Sequence, residues 1–254
     1  MDVHTHTHTE RKRLKHYLFE FLMLFLAVFA GFLAENLREH IVEQKRTNLY
    51  AEQFYEELRL DTSSLVSFIK NSGVVYKKYD TLVKMLKTGV SGDKKWKEFY
   101  YYSFDVDVYN TITFHNASFE QIKNSGSLRY FTSKPLVDAI QDYIGAKDYV
   151  ESFQTGLVNY FDNRFTPFVE ANFDKELLYY DVHYHDRNRF DSLWNNSSKP
   201  TMFLSGNKNA AIMYKNMLLT IKDFYVQSLG DFYMGLLSKS NHLIDILRKE
   251  YHLK

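Results

Sequence analysis

The sequence predicts a mainly α-helical chain: an N-terminal transmembrane helix that continues into a long helix, followed by a helical bundle. Three observations carry that expectation. An apolar run, "LFEFLMLFLAVFAGFLAENL" (Leu18–Leu37), stands near the start. Helix breakers are scarce, with 10 Gly and 3 Pro in 254 residues, which favours long helices over many short strands. Beyond the run, apolar residues recur mostly at helical spacing.

The apolar run has the length of a membrane span. Between Glu20 and Glu35 no residue carries a polar side chain, and from Leu18 to Leu37 the segment reaches about 20 residues, enough for a ~30 Å hydrocarbon core. It is apolar on every side, unlike the one-sided stripe of a surface helix. Arg11, Lys12, Arg13 and Lys15 precede it, whereas Arg38 follows among Glu35, Glu39 and Glu43. The positive-inside rule then expects a cytoplasmic N-terminus. The expected organisation is a short cytoplasmic tail over 1–16, a transmembrane helix over 17–37 and an extracytoplasmic helical domain over 38–254. A cleaved signal peptide is the rival, with Val28-Phe29-Ala30 as its cutting site. Glu20 interrupts the apolar region of such a peptide, and the helical pattern runs through the cut. The two glutamates lie roughly 22 Å apart along a helix, so each carboxylate falls near a bilayer boundary rather than at the midplane.

Alternating steps of three and four from Glu20 pass through Met23, Ala27, Ala30, Ala34, Leu37 and Ile41 to Gln44, Asn48, Ala51, Tyr55, Leu58, Thr62, Leu65 and Ile69. This heptad register suggests a coiled-coil seam. Within the membrane it is made of small residues, and Ala27, Ala30, Gly31 and Ala34 form a candidate helix-association face. Outside, the alternative is that the same stripe packs on the rest of its own chain.

Asn71-Ser72-Gly73 is expected to end the first helix, with Val74–Lys87 a second, amphipathic one and Thr88–Asp93 a loop. Lys94–Tyr102 suggests a short helix. Phe104–Phe114, "FDVDVYNTITF", alternates with period two and is the best strand candidate; it has no evident pairing partner, so an extended or short helical connection is equally expected. Ser118 and Gln121 have capping-box spacing, and Gly126 is placed for a C-terminal cap. Ser133 and Pro135 mark the start of a helix of roughly 28 residues. Lys175–Pro200 reads as polar and irregular. From about 208 to 250 a further apolar stripe, Met213 to Leu247, predicts another long helix, which should lie against the proximal part of the first. Its Gly230 and Gly235 are expected sites of bending or close packing.

Two stretches, "LFEFLMLFLAVFAGFLAENLRE" (Leu18–Glu39) and "SFEQIKNSGSLRYF" (Ser118–Phe131), resemble a family of short Bacteroidota membrane proteins with one N-terminal transmembrane helix and a helical extracytoplasmic domain. The resemblance supports the anchor and the helical domain; with the orientation from the positive-inside rule, the expected location is the bacterial inner membrane with the C-terminal domain in the periplasm. The resemblance implies no reaction, and no catalytic residue is carried over from it.

Composition narrows the chemistry. With 32 basic and 31 acidic residues the chain offers no broad electrostatic footprint for nucleic acid. The absence of Cys excludes disulfides, thiolate zinc sites and cysteine nucleophiles. His183 and His185, in "YYDVHYHDRNRFD", could share a side of an extended segment, but a zinc or copper site wants three or four ligands on a regular scaffold. The His4/His6/His8 run is better read as a solvated tail. No phosphate-binding, dinucleotide or hydrolase motif is present, and no cofactor is expected. The functional expectation is a non-enzymatic interaction or scaffold module of the cell envelope, partnered by the membrane and by itself or another envelope protein. A ligand-sensing domain signalling through a partner is the alternative, weakened by a tail (Met1–His16) too short for an output domain. A metal-dependent enzyme is the remaining class.

Overall fold

The computed structural model describes residues 10–103, 106, 111–173, 187–196 and 208–253. The chain is mainly α-helical, and among these residues there is no strand. Helix α1 runs from Glu10 to Thr88 without a break. Short helices follow at Asp93–Ser103 (α2) and Ala117–Asn124 (α3), then a single 3₁₀ turn at Ser127–Tyr130. Helix α4 (Lys134–Tyr160) passes through a π segment, Phe161–Phe165, into α5 (Thr166–Asn172). A short α6 (Arg187–Asn196) precedes α7 (Lys208–Gln227), which passes through a second π segment, Ser228–Tyr233, into α8 (Met234–Tyr251).

The predicted stop at Asn71-Ser72-Gly73 is absent, and Val74–Lys87 belongs to α1. A lone Gly costs a helix about 1 kcal/mol relative to Ala, and burial of Tyr79, Leu82 and Val83 just beyond it outweighs that. The real stop is at Thr88, where Gly89 and Gly92 both take positive φ, 86° and 83°. Ser133 starts α4 as expected, its Oγ accepting from the Leu136 N–H at 3.4 Å. The π turn in this helix has a local cause. Pro167 has no N–H and its ring crowds the carbonyl four residues back, and the Thr166 N–H reaches instead to the Phe161 carbonyl, five residues back. The second π segment contains Gly230, one of the expected bending positions.

The three long rods pack side by side. Arg248 donates to the Tyr55 hydroxyl at 3.2 Å, and the rings of Phe68 and Tyr233 lie 4.7 Å apart. The returning α7–α8 rod is therefore antiparallel to α1 and lies against its proximal part, as the apolar stripes predicted. Rings of Tyr149 and Phe232 at 4.7 Å, and of Tyr160 and Phe224 at 6.0 Å, set α4 antiparallel to the same rod.

Two apolar cores are stacked along the bundle. The proximal one includes Ala51, Phe54, Tyr55, Leu58, Leu65, Tyr143 and Leu243. The distal one is dominated by rings: Tyr214 stands among Phe99, Phe165, Phe168 and Phe173, all with centroids within 6.0 Å. Helix α6 closes it with Phe190 and Trp194, held to α2 by Arg187–Glu98 and by Lys97–Asp191 at 2.9 Å. Part of the stretch expected to be irregular is thus helical. The heptad register beyond residue 50 buries against its own chain: Ala51, Tyr55, Leu58 and Leu65 are no more than 1% exposed.

Candidate functional site

The first third of α1 stands clear of the bundle. Its apolar side chains are exposed from Leu14 to Leu37, and the helix is long and apolar enough to cross a membrane. At 100° per residue, Ala27, Ala30, Gly31 and Ala34 share one side. A Cβ built on Gly31 would meet nothing within 4 Å. On roughly the opposite side, Phe21, Phe25 and Phe29 form a row of stacked rings with centroids 6.4 and 5.9 Å apart. The rod therefore has a smooth side and a bulky side. Each flanking glutamate has a potential cation on its outward side: His16 lies 3.2 Å from Glu20, and Arg38 contacts Glu35.

On the bundle, buried Asp61, Lys147 and Gln154, with half-buried Glu57, fasten the segment around residues 111–118 to two helices. The Asp61 side chain, 3% exposed, accepts from the His115 backbone N–H at 3.0 Å and the Tyr143 hydroxyl at 3.3 Å, and lies 2.6 Å from His115 Nδ1. Glu57 accepts from the Ser118 N–H at 3.1 Å. This replaces the expected capping box, since Asn116 is the N-cap residue and no side chain of its own turn caps α3. Buried Lys147 donates to Asn116 Oδ1. Gln154 of α4 accepts from the Ile112 N–H at 2.6 Å and donates to the Ile112 carbonyl at 3.1 Å. It pairs with that residue as a neighbouring strand would. Burial pushes the Tyr143 hydroxyl pKa well up from its usual value, and the facing Asp61 carboxylate adds to it.

An aspartate behind a half-exposed histidine can orient a general base. Here the carboxylate also holds His115's own backbone and Tyr143, which is a fastening. Among the described residues no hydroxyl is hydrogen-bonded to the His115 ring, and no group of three His, Asp or Glu is placed to hold a metal ion. His183, His185 and the His4/His6/His8 run lie outside the described residues.

At the end of the bundle nearest the apolar run, the 3₁₀ turn, the start of α4 and the C-terminal turn of α8 converge. Tyr130 donates to Glu43 and receives from Arg129, whose guanidinium lies 4.0 Å from Glu43. Ser133 donates to Glu250, and the rings of Phe131 and Tyr251 meet at 6.1 Å. Between this turn and α1 lies a cavity of about 290 Å³, lined in part by His40, Glu43, Gln44, Arg129, Tyr130 and Tyr251.

No family model, curated protein or solved structure matches the chain. The small-residue side was legible in the sequence as a register. The fastening residues were missed, although a signal existed. Lys147 and Gln154 occupy the three-four spacing of Tyr143, Val150 and Leu157, and Asp61 sits between Leu58 and Leu65 in the same way. A polar residue on a buried stripe needs a partner.

Proposed function

We propose that this chain is a single-pass inner-membrane protein whose helical bundle, on the periplasmic side, binds or scaffolds other envelope proteins. The observation that carries this reading is the continuity of α1, whose exposed apolar first third and packed remainder form one helix. The basic flank from Arg11 to Lys15 favours a cytoplasmic N-terminus. The resemblance to the Bacteroidota family favours the inner membrane. Ala27, Ala30, Gly31 and Ala34 are proposed to meet a second copy or a partner helix, because helices associate in lipid through close packing at small residues. Such a partner can follow the register as far as Asn48, since from Ala51 onward the stripe is covered by the bundle itself. Within this reading the coiled-coil contact is confined to the membrane and the turns just above it.

Topology and partnership are tested together. Phosphatase and fluorescent-protein fusions at Lys254 should give an active phosphatase and a dark fluorophore. The converse pattern reverses the orientation, and a mature N-terminus at Gly31 removes the anchor. Affinity capture of the detergent-solubilised chain should return a stoichiometric second copy or an envelope protein. A strictly monomeric, partnerless chain defeats the scaffold role.

A further inference from the structure

The cavity at the base of the bundle stands at a height fixed by α1. If Leu37 marks the end of the span, His40 lies about 4.5 Å and Glu43 about 9 Å further along the helix. The polar layer of a bilayer is about 5–7 Å thick on each side of its hydrocarbon core. The His40 end of the cavity is therefore level with the lipid headgroups, and Glu43 stands just above that layer, within reach of a headgroup that projects upward. Tyr130, Tyr251 and Arg129 line it, the residue types that settle at a membrane interface, with an apolar body and a polar tip.

Its charge is paired. Arg129 is 72% exposed and Glu43 24% exposed, with 4.0 Å between them. A purely anionic headgroup would meet Arg129 favourably and Glu43 unfavourably. A headgroup carrying both a phosphate and a primary ammonium can lie antiparallel to this pair, phosphate on the guanidinium and ammonium on the carboxylate. The His40 imidazole and the Gln44 amide supply further hydrogen-bonding groups. We infer that this cavity binds the phosphoethanolamine headgroup of a phospholipid in the leaflet nearer the bundle, through Arg129 and Glu43. The inference rests on the membrane-spanning reading of α1.

The test uses the full chain reconstituted in vesicles of equal parts phosphatidylethanolamine and phosphatidylglycerol. After gentle detergent extraction, retained lipid is identified by native mass spectrometry. The wild type should keep one phosphatidylethanolamine in preference to phosphatidylglycerol. Arg129→Ala should lower its retention on the order of tenfold, the worth of one charge-assisted hydrogen bond. Glu43→Gln should lower retention and move the preference toward phosphatidylglycerol, a change of selectivity that loss of folding does not produce. Lys239→Ala, higher on the bundle, should leave retention unchanged.

Equal retention of both lipids by the wild type, or wild-type behaviour of both basal variants, overturns the inference. Binding of soluble phosphoethanolamine with no lipid retained overturns its assignment to the bilayer. Alkaline carbonate extraction of cell membranes separates the two levels. Release of the chain to the supernatant defeats the membrane reading itself, while a chain that stays in the pellet and shows no lipid preference defeats only the headgroup site.

Discussion

Removing the Asp61 carboxylate should destabilise the bundle far more than removing any group that it holds. In Asp61→Ala, the buried Tyr143 hydroxyl and the His115 backbone N–H both lose their acceptor. An orphaned buried donor costs about 1–3 kcal/mol; the Tyr143 hydroxyl is buried, whereas the N–H of exposed His115 is partly reached by water, so the two together predict a loss of about 3 kcal/mol. That is a large part of the ~5–15 kcal/mol that holds a typical domain. The ring contact with His115 adds little, because that side chain is 51% exposed and water replaces the partner. Asp61→Asn keeps one oxygen acceptor and should cost about 1–2 kcal/mol, and Tyr143→Phe, which removes donor and need together, about 1 kcal/mol. The double variant Asp61→Ala/Tyr143→Phe should be less destabilised than the sum of its parts, since only one orphan is left. Denaturant unfolding of the full chain in detergent measures all four. Trp96 and Trp194 both lie in the distal core, so tryptophan fluorescence beside far-ultraviolet circular dichroism also reports whether the two cores unfold together. An Asp61→Ala variant within 1 kcal/mol of wild type, or strict additivity with Tyr143→Phe, would refute the reasoning.

Gly31→Leu should weaken the proposed helix association by roughly tenfold in a crosslinking titration, whereas Phe32→Leu, on another side of the helix, should leave it intact; equal behaviour of the two reduces this segment to a plain anchor. Gly126 takes φ 69° with open space where a Cβ would go, so Gly126→Ala should cost about 1 kcal/mol by backbone conformation alone, read as a lower denaturation midpoint. The protein should be sensitive to alkali: burial raises the Tyr143 and Tyr233 hydroxyl pKa values and pushes Tyr251 up to about 12. Groups held protonated by folding contribute stability that is complete below the unfolded pKa of about 10 and is lost as pH rises through the folded value. Denaturation midpoints measured from pH 9 to 12 should therefore fall above about pH 10, and Tyr233→Phe should flatten that fall; a midpoint that does not move contradicts it.

Much of the fold was legible because it is written in long apolar stripes with few breakers. The return helix from about 208 to 250 and its contact with α1 follow from the need to cover two such stripes without a sheet. What was not legible is decided by contacts distant in sequence. The alternation in Phe104–Phe114 correctly separates buried Ile112 and Phe114 from exposed Thr111 and Thr113. The described part of that stretch nevertheless forms no strand, because its backbone partner is the side chain of Gln154, 42 residues away. Helix α6 has only Phe190 and Trp194 to bury, too weak a pattern to stand out from its polar surroundings. At Gly73 local propensity favours a stop, but packing on either side of it carries α1 through. The small-residue side could be found from spacing alone. Asp61 and Glu57 could not, since the groups they hold come from residues more than 50 positions later.

The unbroken course of α1 makes it a lever. From Arg38 to Thr88 the helix rises about 76 Å. Transmembrane helices commonly lean about 20° from the bilayer normal, and such a lean at the base carries the far end sideways by about 26 Å. Under the membrane-spanning reading proposed for α1, a change of a few degrees at the base moves the distal tip by several ångströms. On that reading the aromatic core at the tip sweeps a wide area while the proposed anchor scarcely shifts.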